Sequence, residues 1–402
     1  MAKGLGNRDK QEKLYAAAKQ GLPEQLAPCR HYHSCGGCDL QELSYEHQLE
    51  AKKRSLTQLI KSRGFDRFFA SVEHEMVASP HPFHYRQRMD FAVAANAAGL
   101  RHCNNPRAIV ATPECLLNSE ASQEVFRRCT AACARLGIPA YDTLNHSGGD
   151  LRYIIVRRTR LGQQLCCVIT ATEDHAQQID SIAQEFTADG SVQSFHWIVI
   201  SGKADLSVGN SLRHWGQPFI EEEILGKRFV LGPSTFFQAN AEVASLAYGA
   251  IREAVEASAP ELLLDLYSGT CTMAIVCAEA AKRVVAVENF PDNVVMARRN
   301  AAAAGFLHLD IVEQDVKDFL ASWKEVPGFA ILNPPRAGME EMAVRRILEL
   351  APERLAYLSC HPASLLDDLG ILARRYRPTR LVQFDMFPQT WHFETLVLLE
   401  RV

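Results

Sequence analysis

Hydrophobic periodicity changes twice along the chain. From residue 220 onward, short apolar runs alternate with stretches in which apolar positions recur every three or four residues. That is the pattern of strands alternating with helices around a parallel sheet covered on both faces. The runs predict strands at Leu262–Leu266, Val284–Glu288, Leu309–Val312, Phe329–Leu332 and Leu355–Ser359, with a last pair near Leu381–Phe384 and Thr395–Leu399. Ahead of them Val243, Leu246, Ala247, Ala250, Ile251 and Val255 share one helical face and predict a helix from Ala241 to Glu256. Between residues 68 and 219 the runs are short, alternating or β-branched, as in Asp90-Phe91-Ala92-Val93, Tyr153–Arg157, Gln164–Thr170 and Trp197–Ile200. They predict a mostly antiparallel β domain with a clear helix around Ala121–Leu136. Residues 1–67 read as a polar lead-in, a cysteine-rich stretch and a helix from Ser44 to Ile60. The expected organisation is therefore an N-terminal segment (1–67), a central β-rich domain (68–219) and a seven-stranded α/β domain (220–402).

Composition narrows the function classes. Met1–Gln20 lacks an apolar core of about seven residues and no run reaches the roughly eighteen that a spanning helix needs, so neither a secretory signal nor a membrane anchor is expected. Twelve cysteines without an export signal point to a reducing, cytoplasmic setting in which they are thiols or metal ligands. The net charge of −4 gives no global sign of nucleic-acid binding, so any RNA partner must be held by a local basic surface. His84, Arg86, Arg88, Arg101, Arg107, Arg157, Arg158 and Arg160 either line such a surface or are interspersed surface charge. Lys52, Lys53 and Arg54 mark a helix face that is solvated or turned to phosphates.

Three stretches carry chemistry. Cys29, Cys35 and Cys38 lie within ten residues, and Gly36-Gly37 lets the backbone wrap tightly enough to aim thiolates at one point, as a metal or cluster site requires. Cys115 is the candidate fourth ligand and Cys103 the runner-up; on ligand type alone zinc fits as well as a cluster. Next, Leu264–Leu266 runs through Tyr267-Ser268-Gly269-Thr270-Cys271 into a helix at Thr272, a strand and small-residue turn that admit a ligand to the backbone. Glu288 stands nineteen residues after Gly269, near the spacing at which an acidic side chain meets ribose hydroxyls. With Asn333-Pro334-Pro335 at a later strand end, this set suggests S-adenosylmethionine rather than a dinucleotide. Finally, Cys360 follows an apolar run where a buried strand ends, and the acidic Glu394 lies downstream.

The order Cys29…Cys35-Gly-Gly-Cys38-Asp-Leu40-Gln41, Phe236-Phe237-Gln238-Ala239-Asn240, Asp265-Leu266-Tyr267-Ser268-Gly269, Asn333-Pro334-Pro335-Arg336-Ala337-Gly338, Ser359-Cys360-His361-Pro362 and Phe387-Pro388…His392-Phe393-Glu394 resembles the RNA uracil-5-methyltransferases, in particular the iron-sulfur branch that acts on 23S ribosomal RNA. The resemblance runs from Cys29 to Val402. It implies a Rossmann-like seven-stranded methyltransferase domain at the C-terminus and a [4Fe-4S] cluster on Cys29, Cys35, Cys38 and Cys115. Contacts to S-adenosylmethionine are implied for Gln238, Tyr267, Thr272, Glu288 and Asn333. Cys360 is implied as the nucleophile that adds to uracil C6, and Glu394 as the base that takes the C5 proton. The implied substrate is structured RNA, 23S ribosomal RNA first and transfer RNA as the alternative, handled by a monomer. Only 28 residues precede Cys29, where the family usually carries an RNA-binding domain. Asn333 stands where the family usually has Asp, Cys271 where it has a second glycine and His361 where it has Asn. The alternative implied by these departures is a catalytically impaired RNA-binding iron-sulfur protein. An amino-methyltransferase reading of Asn333-Pro334-Pro335 is opposed by Arg336, which stands where that chemistry needs an aromatic ring.

Overall fold

Strands whose every residue is apolar or packed against one occupy the middle of a large sheet. In the computed structural model, which describes residues 7–95, 97–142 and 148–402, the chain forms two units. One holds the chain up to Leu26, Glu42–Pro80 and Glu242–Val402; the other holds Ala27–Gln41 and His81–Ala241.

The first unit is built on eight strands in the order His74–Val77, Tyr376–Phe384, Glu394–Arg401, Arg354–Ser359, Phe329–Leu332, Leu262–Leu266, Arg283–Glu288 and Leu309–Glu313. Leu262–Leu266 and Phe329–Leu332 are buried along their whole length, as strands covered on both faces must be. The seven strands expected from the sequence are all present. His74–Val77 joins them as an eighth, parallel to Tyr376–Phe384. Glu394–Arg401 runs antiparallel to both of its neighbours. Leu262–Leu266 has Arg283–Glu288 on one side and Phe329–Leu332 on the other, so the strand order reverses there. Ligands collect outside the carboxyl ends of strands at such a reversal.

Two N-terminal helices belong to this unit, α1 (Asn7–Lys19) and α2 (Tyr45–Ser62). Ser44 caps α2 by accepting the His47 N–H on its Oγ. The buried stripe of α2 is Gln48, Ala51, Lys52, Ser55, Leu56 and Ile60. Leu56 and Ile60 join the core formed by Leu264, Leu332, Leu355 and Leu369. Lys52, expected on a solvated or phosphate-facing surface, is instead fully buried, because helical spacing turns it toward Leu56 while Lys53 faces out.

The second unit contains a seven-stranded sheet ordered Asn105–Ala111, Ala97–His102, Arg88–Ala94, Leu151–Arg158, Gln164–Thr170, Ser194–Val199 and Ser211–Gly216. Its pairings are antiparallel except that of Gln164–Thr170 with Ser194–Val199, which are joined through the helix Ala176–Ala188. That helix and Glu120–Arg135 supply Phe186, Phe126 and Val125 to one apolar core. Neither reading of these cations, an RNA-facing surface or interspersed surface charge, holds for Arg88 and Arg157. Arg157 is 3% exposed, and its guanidinium donates to the carbonyls of Gly232 and Thr235. Burial lowers its pKa to about 9. Arg88 donates to Asp90 and to the carbonyls of Ser207 and Pro233. Both lie on central strands, so their charges are spent inside the unit.

Candidate active site

The turn after Leu262–Leu266 places three left-handed residues in alternation, with φ of +61° at Tyr267, +57° at Gly269 and +59° at Cys271. A left-handed conformation costs a non-glycine residue roughly 1–2 kcal/mol, so the surrounding packing must hold this turn in place. Cys271 is buried, with its Sγ 3.6 Å from Ser268 Oγ. A Cβ built on Gly269 meets nothing within 4 Å, so the outer side of the turn is open.

Asp265 is fully buried; its Oδ2 accepts the Ala274 N–H at 3.0 Å, and its Oδ1 has no hydrogen-bond partner among the described residues. Burial raises its pKa to about 7. Glu288 accepts the N–H groups of Asn289 and Phe290 on Oε1 and of Gly269 on Oε2. A carboxylate offers about four lone-pair sites, so one remains for a ribose hydroxyl. An orphaned acceptor, a free lone pair and an open turn fit S-adenosylmethionine. Of the residues expected to touch it, Tyr267, Thr272, Glu288 and Asn333 lie in the first unit. Tyr267 and Asn333 are half-buried, and Asn333 N–H donates to Leu266 O across the reversal point. Thr272 is buried with its hydroxyl 2.9 Å from that of Thr270. Gln238 lies in the second unit and is buried.

Cys360 and Glu394 are 34 positions apart in sequence but meet through sheet register, since Ser359 pairs with Thr395. Glu394 is 3% exposed, and burial pushes its pKa up to about 8. Cys360 is half-buried; its thiol pKa is raised by burial and then by Glu394, while Arg336 pulls it down. Arg336 was not assigned a role at the thiol from sequence, although its place directly after the Pro-Pro pair is the signal. The loop that carries it is anchored at both sides. Ser364 Oγ donates to Arg336 O, and Asp368 Oδ2 accepts the Met339 N–H at 3.0 Å and the Tyr357 hydroxyl at 2.5 Å. Gly338 has φ +85°, and a Cβ there would meet Ser364 Cβ at 3.0 Å, so this position requires glycine.

His361 begins the helix Pro362–Leu372 as its N-cap, with Nδ1 accepting the Ser364 N–H. Burial lowers its pKa, which keeps the imidazole neutral and able to accept. The departure from Asn therefore preserves a capping acceptor.

The cysteine segment lies in the second unit, where the Cys35–His102 bridge and the Gly36 N–H to Arg101 O bond tie it to the strand Ala97–His102. Cys35, Cys38 and Cys115 lie close enough to one another and to Cys29 that neighbouring thiols disfavour the ionisation of all three. Burial is the larger effect and raises Cys35 to about 11 and Cys38 to about 12. Three of the sulfurs receive N–H donors: Cys35 from Gly37, Cys38 from the Gln41 amide, and Cys115 from Leu117 and Asn118. Among the described residues no three His, Cys, Asp or Glu side chains are arranged to hold one metal ion. Among the described residues, no helix is long and apolar enough to cross a membrane.

The sequence model of the tRNA (uracil-5-)-methyltransferase family matches residues 216–402. An RNA methyltransferase of Caldanaerobacter subterraneus subsp. tengcongensis is 30% identical over 94% of this chain and 85% of its own. The tRNA (uracil(54)-C(5))-methyltransferase of Pyrococcus abyssi is 31% identical over 94% of this chain and 87% of its own. The crystal structure of the Pyrococcus abyssi tRNA (uracil-54, C5)-methyltransferase with S-adenosyl-L-homocysteine superposes with a TM-score of 0.76, at 28% identity, over 90% of this chain and 85% of that one. The paired thiol and carboxyl, the strand-end turn and these full-length likenesses lead to one conclusion: the chain belongs to the tRNA (uracil-5-)-methyltransferase family and is an S-adenosylmethionine-dependent RNA (uracil-5-)-methyltransferase.

Proposed function

We propose that the chain methylates uridine C5 in transfer RNA through a covalent adduct on Cys360. The observation that carries the mechanism is the Ser359–Thr395 register, which sets a half-buried thiol and a buried carboxyl at one end of the sheet. Uracil C5 is a weak nucleophile, and a thiolate adding at C6 converts it to an enolate whose C5 attacks an electrophilic carbon. Bound S-adenosylmethionine supplies that carbon as a sulfonium methyl group. Cys360 forms the bond to C6, and the positive charge of Arg336 favours its thiolate. After methylation, Glu394 takes the C5 proton, the electron pair of that C–H bond restores the C5–C6 double bond, and the thiolate leaves. A base inside a duplex must leave the stack to reach the thiol, so loop RNA is the easier target.

The preference for transfer RNA over 23S ribosomal RNA, the substrate implied first by the sequence resemblance, is supported by the names of the Pyrococcus relatives. Mapping 5-methyluridine by mass spectrometry in cells lacking this protein tests it. Loss from transfer RNA with ribosomal RNA intact is expected, and the reverse pattern would return the substrate to the ribosome.

A pH profile follows from the two raised pKa values. Glu394, at about 8, is protonated at neutral pH and becomes a base only as pH rises; Cys360 shifts in the same direction. The turnover rate is expected to climb throughout pH 6 to 9, since the Cys360 thiol, shifted upward from 9.0, is still ionising above the Glu394 value. Initial rates from pH 6 to 9 with labelled donor measure this, and a profile flat from pH 6 would contradict it.

Cys29, Cys35, Cys38 and Cys115 are proposed to hold a [4Fe-4S] cluster. The mutual proximity of these thiols, and N–H donors to three of the sulfurs, support this reading. The cluster would cross-link the N-terminal segment to the strand region of its unit. Protein purified without oxygen is expected to be brown, with about four irons per chain, and Cys38→Ser should lose most of that iron. Stoichiometric zinc in place of iron would overturn the assignment.

A further inference from the structure

The loop that delivers Glu394 to the site is gripped from one direction by α1 and α2. It connects Tyr376–Phe384 to Glu394–Arg401, and Phe384 pairs with Glu394 across its mouth. Lys52, fully buried on α2, donates to Asp385 Oδ1 at 2.5 Å and to the carbonyls of Phe387 at 3.0 Å and His392 at 3.2 Å. One ammonium group thus spends its three N–H donors on the two ends of the loop. Asp385 is held from its other side by the Tyr45 hydroxyl on Oδ2 at 2.9 Å. In the middle of the loop Gln48 and Gln389 form a reciprocal pair: Gln48 Nε2 donates to Gln389 Oε1 at 2.9 Å, and Gln389 N–H donates to Gln48 Oε1 at 3.0 Å. Gln389 has φ +70° and is 2% exposed, a backbone conformation that a long side chain adopts only when its surroundings impose it. Tyr15 of α1 stacks on Trp391 with ring centroids 4.1 Å apart and planes 3° from parallel.

A buried charge and a buried amide on a helix stripe are expensive to desolvate and are not needed for packing, since leucine would fill the same stripe. Their hydrogen bonds run to backbone and side chains of a single loop, and that loop ends directly before the base. We propose that Lys52 and Gln48 are positioning residues for the reaction, bracing the Asp385–Phe393 loop so that the Glu394 carboxyl reaches the C5 proton of the adduct. The inference rests on the reading of Glu394 as the base. It assigns a catalytic consequence to α2, a helix that touches no reacting atom.

The brace acts after the thiol has added and the methyl group has moved, and this separates it from a general effect on folding. Wild type, Glu394→Gln, Gln48→Ala, Lys52→Met and the charge-neutral pair Lys52→Met with Asp385→Asn are compared on an unmodified transfer-RNA transcript. Because Lys52→Met alone strands the buried Asp385 charge and is open to misfolding, the pair and Gln48→Ala carry the test. For these, S-adenosylmethionine affinity and the KM for RNA are expected to stay within about twofold of wild type. A misplacement of about 1 Å costs on the order of 100-fold in rate, so kcat should fall by about that factor in the charge-neutral pair. On a denaturing gel after one turnover, the RNA should remain covalently attached to the protein, as is expected of Glu394→Gln. The proposal is overturned if the pair turns over within threefold of wild type. It is also overturned if the pair loses turnover without retaining RNA while Glu394→Gln does retain it. Wild-type turnover by Glu394→Gln itself would instead remove the base, and the brace with it.

Discussion

Cys360→Ala abolishes methyl transfer, with a loss of at least about 10⁴-fold expected for removal of a covalent nucleophile, while S-adenosylmethionine still binds. In the proposed mechanism the sulfur raises electron density at C5, and neither Ser359 nor His361 can replace it. Ser359 is buried with its hydroxyl turned to the His361 backbone, and the His361 ring is engaged in capping Pro362–Leu372. The donor site proposed around Gly269 and Glu288 is on other strands, so its affinity should be unchanged. Calorimetry with S-adenosylmethionine and a methyl-transfer assay on the same sample make the separation. Turnover within tenfold of wild type would remove the covalent mechanism.

Glu394→Gln has the second large effect and a different signature. The amide keeps the shape of the carboxyl but cannot take a proton, so the thiol adds, the methyl group transfers and the product stays attached. A fall in turnover of about 10²–10⁴-fold is expected for losing a general base, together with RNA retained on the protein under denaturing conditions. Stability should move oppositely with pH. The carboxyl pKa rises from 4.5 in the unfolded chain to about 8 in the folded one, so its contribution is fully present below pH 4.5 and is lost as pH rises through 8. Melting at pH 6 and pH 9 should therefore show the wild type losing stability that Glu394→Gln retains. A variant that turns over freely, or that stops without trapping RNA, would contradict the assignment.

The parts of the fold that were legible in the sequence are those governed by local pattern. Leu262–Leu266 and Phe329–Leu332 read as buried strands because their environment is apolar on both faces. His74–Val77 did not, since its four residues are all half-buried and give no alternation. The run Lys52-Lys53-Arg54 read as one charged surface, yet helical geometry splits it. Gln48, Lys52, Leu56 and Ile60 share the stripe, and the polar residues in an otherwise apolar series were the overlooked signal. Arg157 was misjudged in the same way, as a surface cation on a strand whose neighbours are buried. The pairing of Cys360 with Glu394 follows from strand register across the sheet, a long-range relation that no local window contains. His361, one of the departures behind the impaired-enzyme alternative, supplies a capping acceptor to the helix Pro362–Leu372.

The bond between the Cys360 sulfur and the pyrimidine can be trapped with RNA carrying 5-fluorouridine, whose fluorine cannot leave as a proton does. After incubation of the protein with this RNA and S-adenosylmethionine, mass spectrometry of the digested complex should find the peptide containing Cys360 carrying a methylated fluorouridine nucleotide. An adduct on any other residue, or methyl consumption with no adduct at all, would contradict the account.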